Sequence, residues 1–189
     1  MNTQILIVDY GSQYTLLIAR IICELGYNCK VLSFTETDKW LAENTPKLVI
    51  LSGGDKSVYA PNSPQLPVNL DTTGKTYNIL GICYGMQLLA HTLGGKVSKH
   101  TDKSQYGGAS IEQNLFSEID THTSVWMSHG DSVIDLPKDF TIWATSGSTC
   151  AGIVNKDKTV IGMQFHPEVF QTISGKDMFK KIIEDSKCI

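Results

Sequence analysis

A chain of 189 residues, 41% hydrophobic and 19% charged, has the length and composition of one ordinary domain with a substantial core. A formal net charge of −3 without a Lys/Arg block argues against nucleic acid or a membrane surface as partner. The longest apolar runs, 16–19 and 48–51, are too short to span a bilayer, and Met1–Ile5 lacks the charged and apolar parts of a signal peptide. Cysteines 23, 29, 83, 150 and 188 are odd in number and lack CxxC spacing. They predict a reduced, cytoplasmic protein with neither a disulfide framework nor a metal site.

In chain order, residues 4–8 form a continuous apolar run, as expected of a strand buried on both faces of a parallel sheet. Residues 9–12 turn, and 16–25 carry helical spacing ending at Gly26. A second strand is predicted over 29–33, a short helix over 37–44 and a third strand over 47–51, ending in Ser52-Gly53-Gly54. A loop bearing Pro and Ser follows over 58–67, then a strand over 79–82 and a helix whose apolar positions are 86, 89, 90 and 93. This βαβαβ-loop-βα order predicts an α/β, doubly wound, mostly parallel sheet flanked by helices. Beyond Lys96, short stretches at 109–112, 125–128, 140–145 and 150–154 predict an additional small antiparallel β section laid against the main sheet. Turns are expected at Gly107-Gly108, Gly130 and 155–158. A strand over 160–165 ends in His166-Pro167-Glu168, and a closing helix begins at Ser174-x-x-Asp177. No repeat or linker interrupts residues 1–189, which read as one domain.

The chemistry gathers at Gly81-Ile82-Cys83-Tyr84-Gly85, a cysteine at a strand-to-helix junction and the thiol counterpart of a nucleophile elbow. Such a turn lifts its central side chain clear of the sheet edge, before a helix N-terminus that favours negative charge. A buried structural cysteine beside two turn glycines is the plainer reading of those five residues. Thiol catalysis also needs a base and a group to orient it. His166 and Glu168 fall on one side of an extended segment, where the carboxylate reaches the imidazole. His91, His100 and His122 are poorer bases by context. His129, in Trp126-Met127-Ser128-His129-Gly130-Asp131, is the competitor. Oxyanion donors are expected from the backbone N–H groups of Tyr84 and Gly54. Ser52-Gly53-Gly54-Asp55-Lys56-Ser57 only faintly resembles an ATP-pyrophosphatase loop, and the other nucleotide signatures are absent.

With these pieces placed, the chain resembles the triad-type (class I) glutamine amidotransferases, whose fold is flavodoxin-like. Residues 81–87 match their nucleophile motif, 52–54 their oxyanion loop and 166–168 their remaining catalytic pair. Within that family the closer likeness, carried by residues 9–14, 17–20, 50–54, 83–87, 93–97, 126–131 and 162–169, is to the amidotransferase domains of GMP synthetases. The resemblance implies Cys83 as nucleophile, His166 as general base and acid, and Glu168 as its orienter. It implies Gly54 and Tyr84 as oxyanion donors, with Gln87, Ser128, His129, Gly130 and Asp131 near the bound substrate. It further implies L-glutamine hydrolysis through a glutamyl thioester, with no cofactor in this domain. ATP and Mg2+ would belong to a partner, an ATP-pyrophosphatase synthetase domain or subunit that aminates XMP to GMP; the synthetase and dimerisation portions are absent. Partners of the anthranilate, aminodeoxychorismate or carbamoyl phosphate type, and a non-catalytic glutamine-sensing module, remain alternatives. Three departures from the family pattern stand out: Asp55 where proline is usual, Gln105 where a glutamate is usual, and Phe170-Gln171 after the His-Pro-Glu-Val run.

Overall fold

A computed structural model gives the fold and describes residues 4–99 and 104–185; His100 and Cys188 lie outside them. The elements run β1 (Ile5–Asp9), α1 (Thr15–Glu24), β2 (Cys29–Ser33), α2 (Phe34–Glu43), β3 (Leu48–Leu51), β4 (Asn78–Ile82) and α3 (Tyr84–Thr92). They continue with β5 (Lys96–Lys99), β6 (Gln105–Gln113), β7 (His122–His129), β8 (Asp131–Asp135), β9 (Phe140–Ser146), β10 (Thr149–Asn155), β11 (Val160–Met163) and α4 (Gly175–Asp185).

One sheet carries nine strands in the order β2-β1-β3-β4-β11-β10-β9-β6-β7, and its first five strands are parallel. The unbroken apolar runs are explained by burial on both faces. Ile5, Ile7, Leu48 and Ile50 point into a layer shared with Ile18 and Ile22 of α1 and Met178, Phe179 and Ile182 of α4. Leu6, Val8, Val49 and Leu51 point the other way, into a layer with Met86, Leu88 and Leu89 of α3. Adjacent residues of one strand therefore serve opposite cores. Among the described residues, no helix is long and apolar enough to cross a membrane.

The antiparallel part differs from expectation. β10, β9, β6 and β7 extend the parallel sheet edge to edge rather than lying against it. The reason is the 155–158 turn: the Asn155 side chain accepts from the N–H groups of Thr159 and Val160, so the chain reverses within the sheet plane. Gly107-Gly108 is no turn but lies inside β6, paired with Met127 and Trp126 of β7; ladder pairing prevails over the local glycine signal, and Gly107 holds φ at +105°. β5 and β8 form a separate two-stranded sheet that no sequence signal announces. The second helix begins at Phe34, three residues early, because Ser33 and Glu36 make a reciprocal capping box. β11 stops at Met163, two residues short of expectation, and the chain bends at Gln164 and Phe165 and turns at Pro167 and Glu168 rather than staying extended.

Candidate active site

β4 and α3 meet at Cys83, whose backbone adopts φ +50° and ψ −105°. For a side-chain-bearing residue that conformation costs about 1–3 kcal/mol, and it persists where surroundings over-determine it. They do so here. The Cys83 N–H donates to Met163 O (2.7 Å) on β11, and the Gly85 N–H donates to Ser52 O (3.1 Å) at the end of β3. Gly85 is required by contact: a Cβ there would sit 2.4 Å from the carbonyl oxygen of Leu51. Gly85→Ala is therefore expected to lower stability by about 1–3 kcal/mol, the usual cost of overpacking a core. Urea unfolding of the variant measures this, and an unchanged midpoint would contradict the tight α3–β3 contact.

The Ser52-Gly53-Gly54 loop is pinned by hydrogen bonds in which Asp55 takes no part. Ser52 Oγ accepts from the Tyr10 N–H (3.0 Å) and donates to Gly53 O (2.9 Å), while the Asp55 side chain is exposed. A Cβ on Gly54 would lie 3.0 Å from Tyr10 O and 3.3 Å from the Tyr84 ring, so a side chain there would crowd both neighbours. Tyr84 opens α3, where first-turn N–H groups lack an intrahelical acceptor.

His166 lies on the segment leaving β11. Its N–H donates to Trp126 O (2.9 Å), and its carbonyl accepts from Thr172 Oγ1 (2.6 Å), which in turn accepts from the Trp126 N–H (3.0 Å). The Tyr14 ring meets the imidazole edge-on, centroids 5.0 Å apart. His166 Nδ1 and Glu168 Oε1 are 2.8 Å apart, and both residues are buried. With Nδ1 so engaged, Nε2 is left for the Cys83 sulfur. Burial opposes charge on this imidazole, but hydrogen bonding and attraction to Cys83 and Glu168 outweigh burial and push its pKa up to about 10. Sulfur, imidazole and carboxylate thus stand in sequence.

Cys83, His166, Gly54, Gln87 and the 128–131 turn all line one cavity of about 630 Å³, together with Ser12 and Tyr14 from the β1–α1 loop. Gln87 Nε2 donates to Asp131 O (2.8 Å) and to Gln164 Oε1 (3.1 Å). His129 is not the base beside the sulfur. Its Nδ1 is 3.0 Å from Asp131 O, a carbonyl that only accepts, so Nδ1 carries the hydrogen. Burial, with the nearby His166, lowers its pKa, and its Nε2 has no partner among the described residues. Of the other histidines, His122 is exposed and His91 packs edge-on against Tyr59. Tyr106, 74% exposed, rims the cavity, whereas Phe170, at 92%, is not among its lining residues. Among the described residues, no group of three or more His, Cys, Asp or Glu could hold a metal ion.

Two site residues are not singled out by sequence reasoning. Tyr14 stands within the 9–14 motif, and nothing local marks its contact with a histidine 152 positions away. Gln164 does carry a signal: a lone amide inside the apolar run 160–165, in step with 166 and 168. It is fully buried, with Nε2 3.7 Å from Cys83 Sγ.

A thiol at a strained elbow, backed by an imidazole–carboxylate pair at the C-terminal edge of parallel strands, is a thiol-dependent acyl-transfer arrangement on a doubly wound sheet. The family model for class-I glutamine amidotransferases matches residues 6–185, and the chain belongs to that family. It is 45% identical over 185 residues to a glutamine-hydrolysing GMP synthase of Fusobacterium nucleatum, a match covering 95% of this chain and 35% of that one. A Nostoc punctiforme protein of the same name is 41% identical, covering 95% and 34%. The chain spans about a third of the length of the curated relatives it matches. Among solved structures, one from Thermoplasma acidophilum described as a candidate GMP synthase subunit superposes with a TM-score of 0.80 at 31% identity, over 97% of this chain and 94% of that one. A glutamine amidotransferase from Thermotoga maritima gives 0.69 at 25% identity, over 97% and 85%.

Proposed function

We propose that this chain hydrolyses L-glutamine to glutamate and ammonia as the glutaminase part of a cytoplasmic GMP synthase. The observation that carries the reading is the convergence of Cys83 and His166 on one cavity, with Glu168 buried behind the imidazole and 2.8 Å from its Nδ1. Cys83 sulfur attacks the side-chain carboxamide carbon of glutamine. The oxyanion that forms takes hydrogen bonds from the N–H groups of Gly54 and Tyr84, and His166, oriented by Glu168, delivers its proton to the departing nitrogen. Ammonia leaves, and a glutamyl thioester remains. Water, deprotonated by His166, then attacks that thioester; the tetrahedral intermediate collapses with release of glutamate, and the sulfur is restored.

The substrate's amino-acid end is assigned to Gln87 and the turn of Ser128, His129, Gly130 and Asp131. With Gln87 Nε2 engaged, its Oε1 is the atom left to accept from an α-ammonium group, and His129 Nε2 offers a second acceptor. The Asp131 carboxylate adds negative charge on the same side.

The partner is a synthetase domain or subunit that binds ATP with Mg2+ and aminates XMP. Relatives about three times as long carry the GMP synthase name, and the Thermoplasma protein, described as one subunit, shares nearly the whole fold. Two measurements test the assignment together. A γ-electrophilic glutamine analogue is expected to label Cys83 and no other cysteine. Glutamine hydrolysis by the isolated chain is expected to be slow and to accelerate when an XMP- and ATP-loaded synthetase is added. Labelling elsewhere removes the nucleophile assignment; full activity in isolation, indifferent to the synthetase, removes the partner.

A further inference from the structure

The amide of Gln164 reaches the reacting sulfur from within the core layer, and the reaction steps leave it without a task. Gln164 and His166 both leave the end of β11 and both reach the Cys83 sulfur, with Glu168 behind the imidazole. The Nε2 of Gln164 lies 3.7 Å from Cys83 Sγ, and its Oε1 is 3.1 Å from Gln87 Nε2, which also lies 2.8 Å from Asp131 O.

Oxygen and nitrogen of an amide are told apart by their network, and here the network is decisive. Asp131 offers a carbonyl, which only accepts, so the Gln87 atom facing it is the NH₂. That NH₂ only donates, so the Gln164 atom facing it is the oxygen. The Gln164 group left for the sulfur is therefore its NH₂, a donor.

We propose that Gln164 is a catalytic hydrogen-bond donor to the Cys83 sulfur, its amide held in the donating orientation by Gln87 and Asp131. The sulfur then sits between two unlike neighbours. Ser128 O, 3.7 Å away, accepts from the thiol, whereas Gln164 donates to the thiolate. When the thiol proton passes to His166, the Ser128 contact loses its donor and the Gln164 contact becomes charge-assisted. The same donor holds the sulfur lone pair in place as the carboxamide carbon approaches. A glutamine that merely filled the core would satisfy its amide without reference to the sulfur.

The inference rests on Cys83 being the nucleophile, and the test separates the two. Gln164→Met keeps the length and removes the donor; Gln164→Glu keeps the acceptor for Gln87 and turns a carboxylate oxygen towards the sulfur. Both are read in the full chain by the rate of Cys83 alkylation with iodoacetamide at pH 7, followed by peptide mass, and by glutamine turnover. Each is expected to slow alkylation and kcat by about ten- to a hundredfold, the range for a hydrogen bond to a charged group, with KM within about twofold. The Glu variant should be at least as slow as the Met variant. Folded variants that alkylate and turn over within about threefold of the unmodified chain, less than one such bond contributes, overturn the proposal. Should neither fold, Gln87→Leu, which frees the Gln164 amide to rotate, enters the same alkylation assay, and an unchanged rate there overturns it equally. A failure of the Cys83 assignment looks different: the unmodified chain would itself hydrolyse no glutamine and leave Cys83 unlabelled by the glutamine analogue.

Discussion

Replacing Cys83 with alanine is expected to lower glutamine hydrolysis on the order of 10⁴- to 10⁶-fold, the loss typical of a deleted nucleophile. The size follows from covalency: without sulfur there is no thioester, and the remaining groups only bind and polarise the substrate. Alanine is the informative replacement because it keeps the Cβ. The elbow's φ of +50° therefore stays as strained as before, and the hydrogen bonds from Cys83 N–H to Met163 O and from Gly85 N–H to Ser52 O are backbone contacts that survive. Glutamine affinity, which the proposal assigns to Gln87 and residues 128–131, should change little. Titration calorimetry with glutamine and a glutamate-release assay read the two halves separately. Turnover within about a hundredfold of the original would mean that a nucleophile other than Cys83 carries the reaction, since a residual two decades short of that is what binding and oxyanion donors supply alone.

The parallel half of the fold was legible because its signals are local. Apolar runs at 4–8, 47–51 and 79–82 bury both faces, and each is punctuated by a glycine turn, so strand identity followed from pattern. The antiparallel half was less legible, since Gly107-Gly108 carries a turn signal that pairing with Met127 and Trp126 overrides. β5 and β8 went unseen for a related reason: four- and five-residue strands gain their identity from each other, not from periodicity. At the site, residues 83, 166 and 168 were nameable because Cys83 sits at a strand-to-helix junction and His166 follows a buried strand, with Glu168 two positions on. The contacts of Tyr14 and Gln164 were not, since both depend on how side chains from distant strands meet above the sheet edge. Asp55, a departure from the family pattern, takes no part in the hydrogen bonds that anchor the loop, which are made by Ser52 Oγ and the Ser52 and Gly53 carbonyls upstream of it.

His166→Asn is expected to cost about 10³-fold or more in kcat and, in addition, to change how stability responds to pH. In the intact protein, burial disfavours the imidazolium, yet its partners Cys83 and Glu168 raise the pKa from the usual 6.5 to about 10. A group whose pKa is raised on folding binds its proton more tightly in the native state. Its stabilisation is therefore complete below pH 6.5 and decays as pH climbs towards 10. Asparagine carries no such proton. It also leaves the Glu168 carboxylate buried with no cation beside it, Oε2 already lacking a partner among the described residues. The melting temperature of the intact chain should accordingly exceed that of His166→Asn most at about pH 6, and the gap should close steadily through about pH 10. Melting curves at unit pH intervals measure it. A gap of constant size across that range would mean that His166 is neutral in the folded protein, and the imidazolium–carboxylate pair behind the sulfur would have to be abandoned.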